Sequence, residues 1–414
     1  MTKVQLKHRY AGLVVLLTIL VTLSGCMHQQ FVSESYPRWG EEHRIARSES
    51  SEPLILRVLA PQEPVQPAAC ILLVHGMNEY IGRYRDVALH FSRKFLVAGF
   101  DYYAHGLSNP VLQQADKALV AGAGKQDVSQ AYLSQTDLYD LDPMRRDFGR
   151  ALEKTIQRCD AEGGSEKPVF IISHSLGALV TATYLMQLHS DTDWAERIQG
   201  AVFLGPGFAV SELPGWRGWL ANPLIKLSFH AKTHFLNPGD EALPMLLFNQ
   251  TLSLVIVPVL DGLLEVLSWP VLRNIATPST PVWIVDYLTD SEAEKQHLRT
   301  DGWIIRRTLL RYVKGVEKEI VEFHRRMASF SVPYYLIYSG HDPVTAFWGG
   351  AAFIDATIRN HPDNAHLLLA DLPYHQHLFL KEPRRSEILQ HIGQWLDRRI
   401  DAQRQRETED FNQK

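Results

Sequence analysis

The chain has 414 residues, of which 45% are hydrophobic and 21% are charged. A globular chain of this length can bury one large core or two modest ones. Lysine and arginine number 42 against 46 acidic residues, which gives a formal net charge of -4. Nucleic-acid binders usually carry a basic excess, so this balance argues against that class of protein.

The first 26 residues differ in kind from the rest. A basic start containing Lys3 and Lys7 precedes an apolar run over 11–23, the pattern of a secretion signal. The run is short for a bilayer span and ends in Leu-Ser-Gly directly before Cys26, which resembles the lipobox of bacterial lipoproteins. The resemblance implies a signal peptide over 1–25 and a lipid on Cys26 that anchors the chain to a membrane of the bacterial envelope. An ordinary signal peptide with a chance cysteine is the alternative.

The residues after the cysteine predict where the anchor lies. Met27 stands where an aspartate often signals inner-membrane retention in Gram-negative lipoproteins, so the outer membrane is favoured if the host is Gram-negative. The polar composition of 26–53 predicts a tether between membrane and fold.

From residue 54 onward, short apolar strands alternate with amphipathic helices. Continuous apolar strands imply burial on both faces, so the alternation predicts an α/β fold with a doubly wound, mainly parallel sheet. The predicted strands are 54–59, 70–74, 95–103, 168–172, 200–204, 332–338 and 365–369, and the predicted helices are 84–94, 142–159, 175–188 and 383–400.

The alternation breaks between 205 and 331, where tryptophan, leucine and proline are frequent. We interpret 205–331 as an inserted helical cap between core segments 54–204 and 332–400. Polar residues interrupt its apolar stretch 243–267, which argues against a membrane-spanning helix. Two interpretations fit the stretch 243–267: it forms the buried core of the cap, or it forms a surface that dips into lipid or receives acyl chains. The tail 401–414 is predicted to be polar and frayed.

Cys70 and Cys159 are the only cysteines besides Cys26. An exported chain resides where disulfides persist, and a doubly wound sheet could bring both residues to its lower edge. A disulfide and two separate buried thiols both fit the sequence.

The most informative passage is Ser173-His174-Ser175-Leu176-Gly177, where a buried strand runs directly into a helix. A nucleophile elbow needs small residues two positions before and after the serine, because strand and helix backbones pass close there. Ser173 and Gly177 meet that need, although Ser173 replaces the first glycine of Gly-x-Ser-x-Gly. Ser175 is therefore the candidate nucleophile. A helix N-cap that accepts a backbone hydrogen bond is the alternative.

Two further turns carry motifs. Residues 72–77 read Leu-Leu-Val-His-Gly-Met, and 101–108 read Asp-Tyr-Tyr-Ala-His-Gly-Leu-Ser. Together with 76–84 they resemble the His-Gly-x and Asp-x-x-Gly-His-Gly-x-Ser motifs of the monoacylglycerol lipase, lysophospholipase and serine aminopeptidase branch of the α/β-hydrolases. The resemblance covers most of 54–400, is weakest in the cap and in 110–135, and implies the α/β-hydrolase fold.

The resemblance also implies an oxyanion hole formed by the backbone N–H groups of Met77 and Leu176. A serine nucleophile needs an acid and a base that follow in the order serine, acid, histidine. Asp342, in a turn after a late strand, is the candidate acid, and an ordinary turn aspartate is the alternative. His377 is the candidate base because it keeps the family spacing of five residues to a glutamate. His375 remains open as the base.

Other histidines are expected to have supporting roles. His75 is predicted to stabilise its turn, and His105, His174 and His341 are predicted to be structural or to support the site. No cluster has zinc-ligand spacing and no glycine-rich phosphate loop occurs, so no metal or cofactor is expected.

These motifs predict a membrane-anchored serine hydrolase that cleaves carboxylic esters through an acyl-enzyme. The anchor and the apolar cap suggest lipid substrates such as lysophospholipid or monoacylglycerol, and cell-wall esters or exogenous small esters fit the tether equally well. Peptide or amide cleavage is the second hypothesis, since the aminopeptidase branch shares the motifs. A catalytically silent envelope binding protein is the third.

Overall fold

The computed structural model describes residues 29–61, 66–163, 167–188, 195–225, 274–280, 282–358, 364–369 and 384–413, with a few isolated positions between 226 and 273. The strands are β1 (Phe31–Val32), β2 (Glu41–Ile45), β3 (Leu54–Leu59), β4 (Cys70–Val74), β5 (Leu96–Asp101), β6 (Gln126–Asp127), β7 (Val169–His174), β8 (Ile198–Leu204), β9 (Ala276–Pro278), β10 (Arg307–Leu309), β11 (Tyr334–Ser339) and β12 (Ala365–Leu369). The helices are α1 (Arg85–Phe91), α2 (Pro110–Val120), α3 (Asp142–Gly163), α4 (Leu176–Gln187), α5 (Gly215–Ile225), α6 (Glu292–Thr300), α7 (Leu310–Arg326), α8 (Phe347–Thr357) and α9 (Arg385–Gln413).

One eight-stranded sheet organises the chain, in the order β12-β11-β8-β7-β4-β5-β3-β2. The six strands from β12 to β5 run parallel, and β3 and β2 add antiparallel pairs at one edge. The predicted α/β fold with a mainly parallel sheet is therefore confirmed. The carboxyl ends of the parallel strands meet at one edge of the sheet, where the candidate site residues follow β4, β7 and β11.

Side chains of each central strand point alternately into two helical layers. In β4, Cys70, Leu72 and Val74 face a core that includes residues of α3, α4, α7 and α8. Ile71 and Leu73 face a second core that includes residues of α1 and α9. Burial on both faces explains why these strands read as continuous apolar runs rather than as alternating ones.

A disulfide joins Cys70 to Cys159, with a Cα–Cα distance of 6.1 Å. Cys70 is the first residue of β4, and Cys159 lies in α3, which packs on that strand. The disulfide hypothesis is confirmed, and the link lies at the edge of the sheet opposite to the candidate site.

The predicted tether differs from the structure. Over the described part of 26–53, β1 pairs with β6, and β2 extends the main sheet beside β3. Tyr36 and Trp39 are buried. The sequence shows no apolar period here because the two aromatic residues are isolated and because β2 is a polar edge strand. Residues 29–53 thus belong to the fold, with their Ser-rich stretch as a turn.

The predicted cap also differs in part. Its described residues include helices α5, α6 and α7, and the strands β9 and β10 form an antiparallel ribbon. Tyr312, Ile320 and Phe323 of α7 belong to the main core cluster, so α7 packs with the core rather than with a separate cap.

The carboxyl end is helical further than predicted. Helix α9 runs to Gln413, beyond the expected end at Ile400, because 401–413 contains no glycine or proline and many helix formers. Among the described residues, none of the helices combines the length and the apolarity that crossing a membrane requires.

Candidate active site

Ser175 occupies the turn between β7 and α4 with φ 52° and ψ -121°. A positive φ is rare for a residue with a side chain and costs about 1–3 kcal/mol. The residue sits at the N-cap of α4, but its side chain makes no capping hydrogen bond. The backbone strain is therefore unexplained by capping, which disfavours the N-cap interpretation of this serine.

Close backbone contacts explain the small residues around Ser175. A Cβ on Gly177 would lie 2.4 Å from the His75 carbonyl oxygen, and one on Gly76 would lie 3.0 Å from the Ser175 Cβ. Gly207, which follows β8, donates its N–H to the Ser175 carbonyl at 2.8 Å. Residues 74–76 and the segment after β8 thus lie close to the serine turn between β7 and α4, and at Gly76 and Gly177 the close approach leaves no room for a larger side chain.

Asp342 lies in the turn after β11 and is buried. Its Oδ1 accepts the N–H groups of Val344 at 2.7 Å and Thr345 at 2.9 Å, and the Ser211 hydroxyl donates to its carbonyl at 2.5 Å. Segment 205–211 therefore connects the two sites, because it also contains Gly207, which bonds the Ser175 backbone. The structure thus holds Ser175 and Asp342 at one edge of the sheet, on either side of β8.

The candidate base lies outside the described residues, as do His375 and Cys26. Strand β12, which precedes His377 in the chain, is parallel to β11 and ends at Leu369 on the carboxyl edge of the sheet. Strand β12 therefore ends at the edge of the sheet where Asp342 lies, and His377 and His375 both remain candidates.

We call residues 76–84, which follow β4 beside the serine turn, the oxyanion turn, after the role predicted for Met77. The N–H of Gly76 donates to Glu79 Oε1 at 3.1 Å, and the N–H of Asn78 donates to His105 Nε2 at 3.2 Å. Within the described residues, nothing accepts the N–H of Met77, which lies between these two peptides, or the N–H of Leu176 at the start of α4. The lack of an acceptor among the described residues is compatible with the oxyanion hole predicted for these two N–H groups.

His75 and His105 are structural acceptors, as expected. His75 Nε2 accepts the N–H of Tyr102 at 3.2 Å, and its Nδ1 lies 2.7 Å from the Gly76 carbonyl. Burial lowers the pKa of His75 to about 3 and that of His105 to about 4, so both rings are neutral near neutral pH. A neutral ring engaged on both sides holds the turns in place and is unsuited to act as the base.

Asp101 joins the oxyanion turn to the turn after β5. Its Oδ1 accepts the N–H of Ile81 at 2.7 Å, and its Oδ2 accepts the N–H of Leu107 at 2.9 Å. Gly106 has φ 43°, and a Cβ there would lie 2.3 Å from the carboxylate. Burial raises the pKa of Asp101 to about 6. The Asp101 carboxylate therefore occupies the space that a side chain at Gly106 would need, which explains why the Asp-x-x-x-His-Gly motif combines an aspartate with this glycine.

Glu79 is buried and contacts both the oxyanion turn and the residue before the serine turn. Its Oε1 accepts the Gly76 N–H and lies 2.8 Å from His174 Nδ1, and its Oε2 accepts from Arg83 at 2.5 Å. His174 directly precedes Ser175, so one buried carboxylate holds the oxyanion turn against the serine turn. Arg83 also reaches Glu294 of α6 at 3.3 Å, which extends the network into the insertion.

Further contacts fix the insertion on the oxyanion turn. Asn78 Nδ2 donates to Ser279 Oγ at 2.6 Å, and the N–H of Ile305 donates to the Asn78 carbonyl at 3.0 Å. The Tyr80 hydroxyl donates to Asp301 Oδ2 at 2.9 Å. The sequence offered no local signal for these partners, which lie about two hundred residues away in the chain.

Among the residues that the structure describes, no group of three or more His, Cys, Asp or Glu side chains is placed to hold a metal ion.

The family of the chain follows from its match to a family model described as serine aminopeptidase, S33, over residues 65–382. The match spans the serine turn, the oxyanion turn and the predicted acid and base. The chain belongs to this family. It is therefore a serine hydrolase with the α/β-hydrolase fold, in the branch that the motifs indicated.

Solved structures show the same fold. A monoglyceride lipase from Saccharomyces cerevisiae, solved with a substrate analog, shares 15% identity with a TM-score of 0.59, over 88% of this chain and 98% of that one. A carboxyl esterase from Bacillus coagulans, solved with glycerol, shares 16% identity with a TM-score of 0.55, over 88% and 100%. A monoacylglycerol lipase from Paleococcus ferrophilus shares 14% identity with a TM-score of 0.51, over 84% and 99%. A search among curated proteins finds no match by sequence.

Proposed function

We propose that the protein is a membrane-anchored hydrolase of carboxylic esters that uses Ser175 as its nucleophile. The observation that carries this proposal is the strained backbone of Ser175 at φ 52°, combined with a hydroxyl that makes no cap bond to the helix it begins. Strain of this kind persists where the surrounding structure imposes it, and it is typical of functional sites.

In the proposed mechanism, the Ser175 hydroxyl attacks the acyl carbonyl while His377 takes its proton. Asp342 orients the imidazole, and the N–H groups of Met77 and Leu176 stabilise the negative oxygen of the tetrahedral intermediate. His377 then returns the proton to the leaving alcohol, and water releases the acyl group from Ser175 by the same steps. The partial positive charge at the start of α4 favours the developing anion.

Labelling with a fluorophosphonate probe tests the nucleophile. We expect Ser175→Ala to lose both labelling and ester hydrolysis, while the control Ser329→Ala, at an exposed serine, keeps both. Undiminished labelling of Ser175→Ala would refute the assignment. The same assay on His377→Ala and His375→Ala identifies the base, since loss of the base lowers kcat by several orders of magnitude.

The proposed substrates are lipid esters such as lysophospholipid or monoacylglycerol. The anchor predicted at Cys26 supports this class by location, and two of the similar solved structures are named as monoglyceride or monoacylglycerol lipases. A series of p-nitrophenyl esters of increasing chain length tests it. A preference for acetate over all longer chains would count against lipid substrates.

Amide cleavage is a second candidate, because the matching family is described as a serine aminopeptidase. Rates on acyl esters and on amino-acid p-nitroanilides, measured with the same preparation, separate the two activities. Ester hydrolysis without measurable anilide cleavage supports the first.

We also propose that Cys26 carries the lipid and that the protein lies in the bacterial envelope, in the outer membrane of a Gram-negative host. Mass spectrometry of the N-terminal peptide and membrane fractionation of Cys26→Ser test this. Retention of that variant in the membrane fraction would contradict the anchor.

A further inference from the structure

Residues 29–47, which we call the N-terminal strap, lie against the turns of the site although they precede the family match. Gln30 Nε2 donates to the carbonyls of Gly302 at 2.8 Å and Ile304 at 2.7 Å, both in the insertion. At the other end of the strap, Arg47 forms a buried ion pair with Asp147 of α3 at 2.7 Å. The strap is thus fixed at both ends.

Two aromatic residues of the strap contact the oxyanion turn. The Tyr36 hydroxyl donates to Asp101 Oδ2 at 2.8 Å and accepts the N–H of Gly82 at 2.9 Å. Trp39 Nε1 donates to the Ile81 carbonyl at 3.1 Å. Ile81 also donates its own N–H to Asp101 Oδ1. One phenol hydroxyl therefore closes a ring of hydrogen bonds that holds the distal end of the oxyanion turn.

The position of the Tyr36 hydroxyl is determined by its surroundings. The side chain is 2% exposed, and its ring centroid lies 5.4 Å from that of Tyr80 and 5.2 Å from that of Trp303. Its backbone N–H donates to Asp116 Oδ1 at 2.9 Å. Because the ring is packed independently of the hydroxyl, phenylalanine can occupy the same space.

We propose that Tyr36 is a positioning residue for the oxyanion hole, acting through Asp101 and Gly82 on the turn that contains Met77. The inference rests on the proposed hydrolysis through Ser175. Glu79 holds the proximal end of the oxyanion turn, and Tyr36 and Asp101 hold its distal end. Loss of the hydroxyl leaves the Gly82 N–H without its hydrogen-bond acceptor. The oxyanion turn then shifts, and the Met77 N–H no longer points at the negative oxygen of the intermediate.

The predicted signature is kinetic. An oxyanion forms only in the transition state and the tetrahedral intermediate, so a misaligned donor lowers kcat and leaves substrate binding unchanged. We expect Tyr36→Phe to reduce kcat on p-nitrophenyl butyrate about tenfold, with KM within about twofold. A trifluoromethyl ketone, which adds to the serine to form an oxyanion, should bind about tenfold more weakly for the same reason.

Tyr334→Phe is the matched control. The Tyr334 hydroxyl is also buried and bonds Thr357 Oγ1 at 2.7 Å, but Tyr334 begins β11 and so lies at the opposite edge of the sheet. We expect kcat and inhibitor affinity of this variant to equal those of the wild type.

A second variant tests the same proposal if Tyr36→Phe does not fold. Asp116→Asn weakens the bond to the Tyr36 backbone from outside the site, and we expect a smaller fall in kcat, about threefold, with unchanged KM. Unchanged kcat and inhibitor affinity in both variants would overturn the proposal, as would an equal loss in Tyr334→Phe. Failure of the proposed hydrolysis has a different result, since the wild type would then lack ester hydrolysis or Ser175→Ala would keep it.

Discussion

Breaking the Cys70–Cys159 link is expected to cost a large part of the stability and none of the catalysis. The disulfide closes a loop with a sequence separation of 89 residues. The chain-entropy relation assigns about 4.5 kcal/mol to a loop of that length. Either single substitution to alanine removes the link together with one buried sulfur, so we expect it to lower the free energy of unfolding by about 5 kcal/mol.

The two substitutions should be strongly non-additive. Once Cys159→Ala has opened the loop, adding Cys70→Ala removes only a second buried sulfur, so the further loss should be about 1 kcal/mol. Urea unfolding followed by circular dichroism measures the three variants. Thiol titration of denatured, unreduced Cys26→Ser provides the control, because it should detect no free thiol.

Catalysis should survive because the link is distant from the nucleophile. Cys70 pairs with Val169, and Ser175 follows six residues later, a separation of about 20 Å along the strand. We expect kcat on p-nitrophenyl butyrate to remain within about twofold at temperatures where the variants are folded. A cost near 1 kcal/mol for the first substitution, or a fall in kcat that matches the loss of stability, would refute the reasoning.

Three other predictions concern the site. Ser175→Gly should be at least as stable to urea as Ser175→Ala, since glycine relieves the positive φ and both variants lack the nucleophile; a clearly less stable glycine variant would contradict the strain. Gly177→Ala should lower the free energy of unfolding by more than about 2 kcal/mol, because its Cβ meets the His75 carbonyl, and wild-type-like unfolding would disprove that contact. Stability should also fall on acidification from pH 7 to pH 5. The folded-state pKa values of His75 and His105, about 3 and 4, lie below the ordinary value of 6.5, so the unfolded chain binds more protons in this window. Below pH 6.5, each histidine lowers the free energy of unfolding by about 1.4 kcal/mol per pH unit. Below pH 6, Asp101, whose folded-state pKa is raised to about 6, raises that free energy by about as much per pH unit as one histidine lowers it. A urea midpoint that does not change between pH 7 and pH 5 would argue against two buried neutral rings.

The sequence predicts strands well where both of their faces are buried. Predicted strands 54–59 and 70–74 agree with β3 and β4 to the residue, and both observed strands are buried along nearly their whole length. A run of apolar residues between polar or proline-containing turns leaves little freedom in its bounds. The edge strand β2 has the sequence Glu-Glu-His-Arg-Ile and gives no such signal, since solvent covers much of it.

The turn of the nucleophile is also predictable, since close backbone contact demands small residues at fixed spacing. The supporting residues are not. Glu79 stands next to recognisable motifs, yet its role depends on His174, 95 positions away in the chain. Tyr36 and Trp39 are single aromatic residues in a polar stretch, so no periodicity identifies them. Contacts of this kind are set by the tertiary fold and leave no local pattern.

The strap also limits how far the domain can stand from an anchor. Gln30 is held by its side chain and by its backbone, which donates to Ser129 Oγ at 3.0 Å and accepts from Val128 at 2.8 Å. Only four peptide units separate it from Cys26, so their Cα atoms are at most about 14 Å apart. A lipid on Cys26 would therefore hold the enzyme in one orientation on the membrane. Strands β1 and β6 and residues 302–304 would face the bilayer surface. Such a protein would act on molecules at the leaflet that holds it and would have little reach beyond.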